Sequence, residues 1–230
     1  MGTTLLRVGV ALSLTVWLGT RPVDGQSTVL RPATEVADAL QARYDGVRDF
    51  SAAFEHRYEG GLLRKATSER GTVEIKKPGK MRWTYEAPER KLFVSDGHTM
   101  YSYVPADKQV IVNDVPDDAP AGGPVLFLAG RGSLNLDFTV QYADGLRDDG
   151  PQALALALIP KVPQPDYESI VLVIDEPSLQ IRQLETVDAQ GGRSTLLFAM
   201  IKENVGIPDS SFAFTVPRGV DIIENNRASR

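Results

Sequence analysis

Polar and apolar positions along the chain fall into two regimes, with the change at Phe50. Before it, Val36, Leu40, Tyr44 and Val47 recur at i, i+4, i+8 and i+11, one face of a 3.6-residue period, while Asp38, Gln41, Asp45 and Arg48 lie toward the other side. The pattern predicts one amphipathic helix ending near Asp49, with Thr34 as N-cap and Glu35 placed to meet the helix dipole.

From Phe50 the period becomes two. Phe50–Tyr58 reads as a strand, followed by a turn at Glu59-Gly60-Gly61. Gly71–Lys77 alternates through Val73 and Ile75 and stops at Pro78-Gly79. Met81, Trp83 and Tyr85 share one face, with Arg82, Thr84 and Glu86 on the other. Leu92–Ser95 runs into Asp96-Gly97, a strong hairpin signal, and returns as Thr99–Val104 and Gln109–Asn113. Leu134–Tyr142 alternates throughout. Leu154, Leu156 and Leu158 alternate with alanines, and Glu168–Asp175, Ile181–Val187, Ser194–Lys202 and Phe212–Val216 follow. About eleven strands with short turns predict an antiparallel sheet in hairpin order.

One stretch breaks the pattern. Pro116–Gly132 is acidic and proline-rich, then carries Gly122-Gly123, the apolar run Pro124–Ala129, and Gly130 and Gly132. Pro124 suits the first turn of a short helix. Two readings fit: a glycine-hinged lid over the sheet, or a connector helix packed on one end of it.

The amino terminus stands apart. Arg7 precedes the uncharged, mostly apolar run Val8–Gly19, and Val23-Asp24-Gly25 offers residues that a signal peptidase reads. A spanning helix needs about 20 apolar residues, and Arg21, Pro22 and Asp24 cut this run short; a retained membrane anchor is the alternative. Residues 1–25 are expected to be a cleaved signal peptide and 26–230 a single exported domain. The chain has no cysteine, so stability must come from core burial, and no residue after the leader can carry a lipid through a thioether. With 25 basic against 30 acidic residues and only Lys76-Lys77 and Lys80–Arg82 clustered, no basic stripe for nucleic acid exists.

Catalytic constellations are missing as well. There is no G-x-S-x-G elbow, no phosphate-cradling glycine loop and no thiol nucleophile. His56 and His98 are the only histidines. His56 lies between Glu55 and Glu59 without a third well-placed metal ligand and reads as a surface residue, and His98 reads as a turn residue. No catalytic residue, metal site or cofactor is therefore expected. What stands out is apolar surface. Met100 and Val104 oppose Tyr101 and Tyr103, and Ile170, Leu172 and Ile174 oppose Val171 and Val173, so parts of the sheet are apolar on both faces. A plain β-sandwich core explains this, as does a sheet curled around an adaptable pocket rich in Met and aromatic side chains.

Lys77-Pro78-Gly79-Lys80-Met81-Arg82-Trp83, Leu92-Phe93-Val94-Ser95-Asp96-Gly97, Phe50–Phe54 behind the helix and Phe212-Ala213-Phe214 near the end resemble the LolA family of periplasmic lipoprotein carriers across nearly the whole domain. The resemblance implies an α+β fold: a half-open antiparallel β-barrel with an N-terminal helix and a short lid helix covering an apolar cavity. By the same resemblance the cavity is lined by Met81, Trp83, Tyr85, Phe93, Tyr101 and Phe138, and the lid is Val125, Leu126, Phe127 and Leu128. Such carriers are periplasmic, take lipidated lipoproteins from an ATP-driven inner-membrane complex and deliver them to an outer-membrane receptor. The protein is expected to act as a monomer. The family often has an arginine before the strand's proline, holding the lid shut. Here the position is Lys77, which lacks the bidentate fork, so Lys77 and Arg82 are both candidate latches. A half-barrel module for another lipid or glycolipid, and a periplasmic sensor or scaffold, are the alternatives.

Overall fold

The computed structural model describes residues 31–60, 66–115, 128–130, 132–143 and 153–224. The expected signal peptide and Val125, Leu126 and Phe127 lie outside them. Helix α1 (Ala33–Asp45) precedes β1 (Asp49–Glu59), β2 (Ala66–Lys76), β3 (Lys80–Ala87), β4 (Lys91–Asp96), β5 (Thr99–Val104) and β6 (Gln109–Asp114). A short α2 (Leu134–Asp137) leads into β7 (Phe138–Tyr142), β8 (Ala153–Pro160), β9 (Ser169–Asp175), β10 (Gln180–Val187) and β11 (Arg193–Glu203), and β12 (Asp221–Glu224) follows a 3-10 turn at Asp209–Phe212.

The twelve strands of the described residues form one open, curled sheet in the order β12-β6-β5-β4-β3-β2-β1-β11-β10-β9-β8-β7. Two hairpin meanders are joined by the antiparallel pairing of β1 with β11, and β12 adds in parallel to β6. Cross-strand partners fix the faces. Phe50, Ala52 and Phe54 of β1 stand opposite Ile75, Val73 and Gly71 of β2, which stand opposite Met81, Trp83 and Tyr85 of β3. Leu196, Leu184, Leu172 and Leu156 continue the same face across β11 to β8. This concave face is apolar, and α1 lays Val36, Leu40 and Tyr44 into it to form one buried core.

The convex face has a core of its own over β4 to β6. Val94 and Val110 are fully buried there, on the face that also carries Tyr101 and Tyr103. The chain after β11 crosses this face: Ile207 and Phe212 are buried, and Phe214 packs on Tyr101 and Tyr103 at 5.2 and 5.8 Å between ring centres. Polar contacts hold the crossing segment, among them the hydrogen bond from Lys76 Nζ to the Ile207 carbonyl at 2.9 Å. The buried carboxylate of Asp49 accepts from the backbone N–H of Val205 (2.8 Å) and Gly206 (3.1 Å). Asp209 pairs with Lys76 and Lys80, whose hydrogen bonds hold its carboxyl down at about 2. Arg82 Nη1 donates to the Ser211 carbonyl.

The structure departs from the sequence expectations at several places, the parallel pairing of β12 with β6 among them. The helix begins at Ala33 and stops at Asp45; Thr34 lies inside its first turn and caps nothing, while the N–H groups of Glu35 and Val36 donate to Pro32 O. Asp49 opens β1 instead of closing the helix, and its carboxylate accepts from the Val205 and Gly206 amides. Leu134–Asp137 is a helical turn and not the start of a strand: Leu134 N–H donates to Gln41 Oε1, and the Asn135 amide bonds to Thr34 O and Asp38 on α1. Phe212–Val216 forms no strand, since its aromatics are used to cover the convex face.

Candidate functional site

Alternation in β3 turns Met81, Trp83 and Tyr85 toward the concave side, and register brings Phe93 of β4 beside Trp83. Phe54 and Phe198 arrive from β1 and β11. Gly71 matters at this point: it stands opposite both Phe54 and Tyr85, whose rings meet edge to face at 4.8 Å, and a Cβ there would lie 1.9 Å from the Thr84 carbonyl oxygen, so only glycine lets β2 and β3 approach this closely. Phe54 also meets Trp83 at 5.1 Å, Tyr85 meets Phe93 at 5.6 Å, and Trp83 lies 6.3 Å from Phe198. Pairs of this geometry contribute beyond their buried area. Met81 and Trp83 are buried, Tyr85 and Phe93 partly so. Among the described residues Trp83 Nε1 is the buried side-chain polar atom without a hydrogen-bond partner.

Phe138, at the head of β7, is 4% exposed and belongs to the same core. Tyr101 does not. Its partner across β4–β5 is Val94, so it stands on the convex face against Phe214. Arg82 is on that face too, tied to Ser211 and away from the concave interior. Of the segment expected as a lid, Leu128 is described, and it is 1% exposed inside the concave core with Ala129 beside it.

Leu128 and Ala129 are tied down at the α1 end. The Tyr44 phenol donates to Leu128 O at 2.7 Å, and Gly79 N–H donates to Ala129 O at 2.9 Å. Lys77 Nζ donates to the Tyr44 carbonyl and sits 3.7 Å above the centre of the Tyr44 ring. Gly130 has φ +80°, and a Cβ there would lie 2.7 Å from Lys77 Cδ, so the lysine stem lies flat across this glycine. Burial lowers the Lys77 ammonium to about 8, with Asp45 and Glu203 opposing the shift. Burial likewise raises the Tyr44 phenol, so it stays a donor. Beside them, Tyr44, Phe50, Leu128, Ile181, Phe198, Ile201 and Glu203 line a half-open residual space of about 20 Å³, room for about one water molecule.

At the other end the concave face turns polar. His56 follows Phe54 on the same side, opposite Glu69 of β2. Its Nδ1 lies 3.4 Å from Glu69 Oε2 and 3.4 Å from the Tyr85 hydroxyl, and its Nε2 is 2.9 Å from Ser194 Oγ. Lys91 Nζ pairs with Glu69 Oε1 at 2.5 Å. Desolvation pushes the His56 pKa down against the pull of Glu69, and pushes Tyr85 up to about 12. His56 is thus half-buried and engaged, not the surface residue that the sequence suggests. Sequence reading also misses Tyr44, Phe54, Phe198, Glu69 and Lys91 as parts of this site. The clue for Phe54 and His56 is present, since both continue the alternation of Phe50 and Ala52. Phe198 has none, because only the β1–β11 pairing brings it close.

Among the described residues no three His, Asp or Glu side chains gather as a metal site, and no helix is long and apolar enough to cross a membrane. Fold and site together define a class, the single-sheet half-barrels with a helix over an apolar concave face. A solved structure of an uncharacterized conserved protein from Thermus thermophilus has this fold, with a TM-score of 0.52 at 11% identity over 84% of this chain and 98% of its own. The family model described as "Outer membrane lipoprotein carrier protein LolA" matches residues 45–215. An outer-membrane lipoprotein carrier protein of Chromohalobacter salexigens is 33% identical over 187 residues, 81% of this chain and 86% of that one. Another from Cupriavidus pinatubonensis is 31% identical over 200 residues, 86% of this chain and 90% of that one. The chain belongs to the LolA family of outer-membrane lipoprotein carrier proteins.

Proposed function

We propose that this protein is a periplasmic carrier that shelters the acyl chains of lipoproteins on its concave face while they cross from the inner to the outer membrane. The observation that carries the reading is the match, over most of both chains, to relatives named outer-membrane lipoprotein carrier protein. The buried aromatic zone around Trp83 supports it. Residues 1–25 would be the signal peptide and 26–230 the working domain. An ATP-driven inner-membrane complex would load it and an outer-membrane receptor would unload it.

Each methylene removed from water contributes about 0.8 kcal/mol, so a lipoprotein with several long chains does not leave a bilayer for water unaided. A carrier must hold those chains firmly and still release them. In the reading proposed here, Leu128 and Ala129 occupy the concave core when no cargo is present, and cargo displaces them. One burial is then exchanged for another, and the net affinity stays moderate. The Tyr44–Leu128 hydrogen bond and the Lys77 stem on Gly130 act as the latch on these residues. Met81, Trp83, Tyr85, Phe93 and Phe138 line the cavity once it opens.

The test is mass spectrometry of the tagged protein recovered from a periplasmic extract. Lipoproteins carrying intact acyl chains should accompany the wild type and be depleted from a folded Trp83→Glu variant. Recovery without lipoproteins, or equal recovery with the variant, refutes the carrier reading.

A further inference from the structure

The concave face is graded along the strands. From Phe50, beside Tyr44, to His56 is six residues of β1, about 20 Å at strand rise. One end is closed by Leu128, the middle is aromatic, and the far end holds His56, Glu69, Lys91 and Ser194. Three observations concern the strip from the aromatic middle to that far end. Trp83 is 4% exposed, yet its Nε1–H has no acceptor among the described residues. A buried N–H without an acceptor is destabilising and calls for an explanation. Two residues further along β3, about 7 Å on, the Tyr85 hydroxyl is held at His56. Across from Tyr85 on β4, Lys91 has its charge neutralised by Glu69 but keeps ammonium protons to give, and its side chain is 27% exposed.

A row of polar side chains beside an aromatic cluster, with its positive charge already neutralised, suits neutral acceptors and not an anion. We infer that the strip from Trp83 Nε1 through Tyr85 to Lys91 is a subsite for the carbonyl oxygens of an ester- or amide-linked acyl lipid, the junction where chains meet the headgroup. This rests on the carrier reading and adds to it how an acylated terminus is told from a bare hydrocarbon. The chains would lie toward Met81 and Phe54, an ester carbonyl would accept from the Trp83 indole, and the outer carbonyls would face Lys91. His56, kept neutral by burial, holds the Tyr85 hydroxyl in place without adding charge.

The experiment changes the ligand first, so no variant has to fold. Fluorescence titration of the wild type compares a triacylated cysteinyl peptide with its ether-linked analogue, which has the same chains but lacks the ester carbonyl oxygens. The ester form should bind about 5- to 30-fold tighter, the range expected of one or two hydrogen bonds. Lys91→Met and Trp83→Phe should each narrow that ratio, and Lys91→Arg should restore it relative to Lys91→Met. Equal affinity for the two peptides overturns the subsite and leaves the carrier reading standing. Binding of neither peptide overturns both. A ratio that survives both Lys91→Met and Trp83→Phe assigns the discrimination to other residues and also overturns the proposal.

Discussion

Tyr44→Phe removes one oxygen and leaves the ring, its 4%-exposed burial and the lysine above it in place. What it deletes is the donor to Leu128 O, a 2.7 Å bond inside the core. An ordinary buried hydrogen bond contributes about 1 kcal/mol net, and a carbonyl left without a partner costs about 1–3 kcal/mol. The bound position of Leu128 should therefore weaken by about 1–2 kcal/mol, which multiplies the undocked population roughly 5- to 30-fold. Gly79 gives a direct readout, because its amide donates to Ala129 O and is protected only while that carbonyl is in place. Native-state hydrogen exchange should show the Gly79 amide accelerated by that factor, with the amides of Val73 and Leu172 in the central strands much less affected. If cargo enters only the undocked form, affinity for an acyl probe rises in step, because apparent affinity scales with the competent fraction. An unchanged Gly79 exchange rate would refute the latch assigned to Tyr44. Faster exchange with unchanged probe affinity would refute the link between undocking and binding.

Gly130→Ala should strain a backbone at φ +80° and push the Lys77 stem aside, lowering thermal stability by about 1 kcal/mol or more and speeding Gly79 exchange as Tyr44→Phe does. The Lys77 ammonium is lowered from 10.5 to about 8, so between these pH values the folded protein holds fewer protons than the unfolded chain. Stability of the wild type relative to Lys77→Met should then rise from pH 8 to pH 10.5 in denaturant titrations; a flat difference contradicts the burial. Asp49→Ala should cost about 1–3 kcal/mol by stripping the acceptor from the Val205 and Gly206 amides. Urea unfolding measures the loss, and exchange at those two amides locates it.

Periodicity makes much of this fold legible. Val36, Leu40 and Tyr44 do share the buried face of α1, and Met81, Trp83 and Tyr85 do share the concave face of β3. Asp96-Gly97 does turn a hairpin, with Asp96 Oδ1 accepting from His98 and Thr99 N–H. Alternation tells which residues share a face but not which face is concave. For that reason Tyr101 is grouped with Phe93 in sequence, although it pairs with Val94, one residue out of phase. Leu134–Asp137 alternates as well as any strand here, yet bonds to Gln41, Thr34 and Asp38 make it a helical turn. The role of Tyr44 is hidden for a different reason. An aromatic on an apolar helix face reads as packing, and nothing local shows where its hydroxyl points.

The aromatic cover that Phe212 and Phe214 lay over the convex face of Val94, Tyr101 and Tyr103 bears on how a wall of the proposed carrier's cavity would stand while its contents change. Strands β4 and β5 carry concave residues on one side and are packed from behind on the other. Their footing is therefore independent of whatever occupies the hollow. A single-layered wall would sag when its filling left, and the energy of emptying would include rebuilding the strands. A wall backed in this way stays put, so any rearrangement at its inner surface is confined to the side chains that meet there.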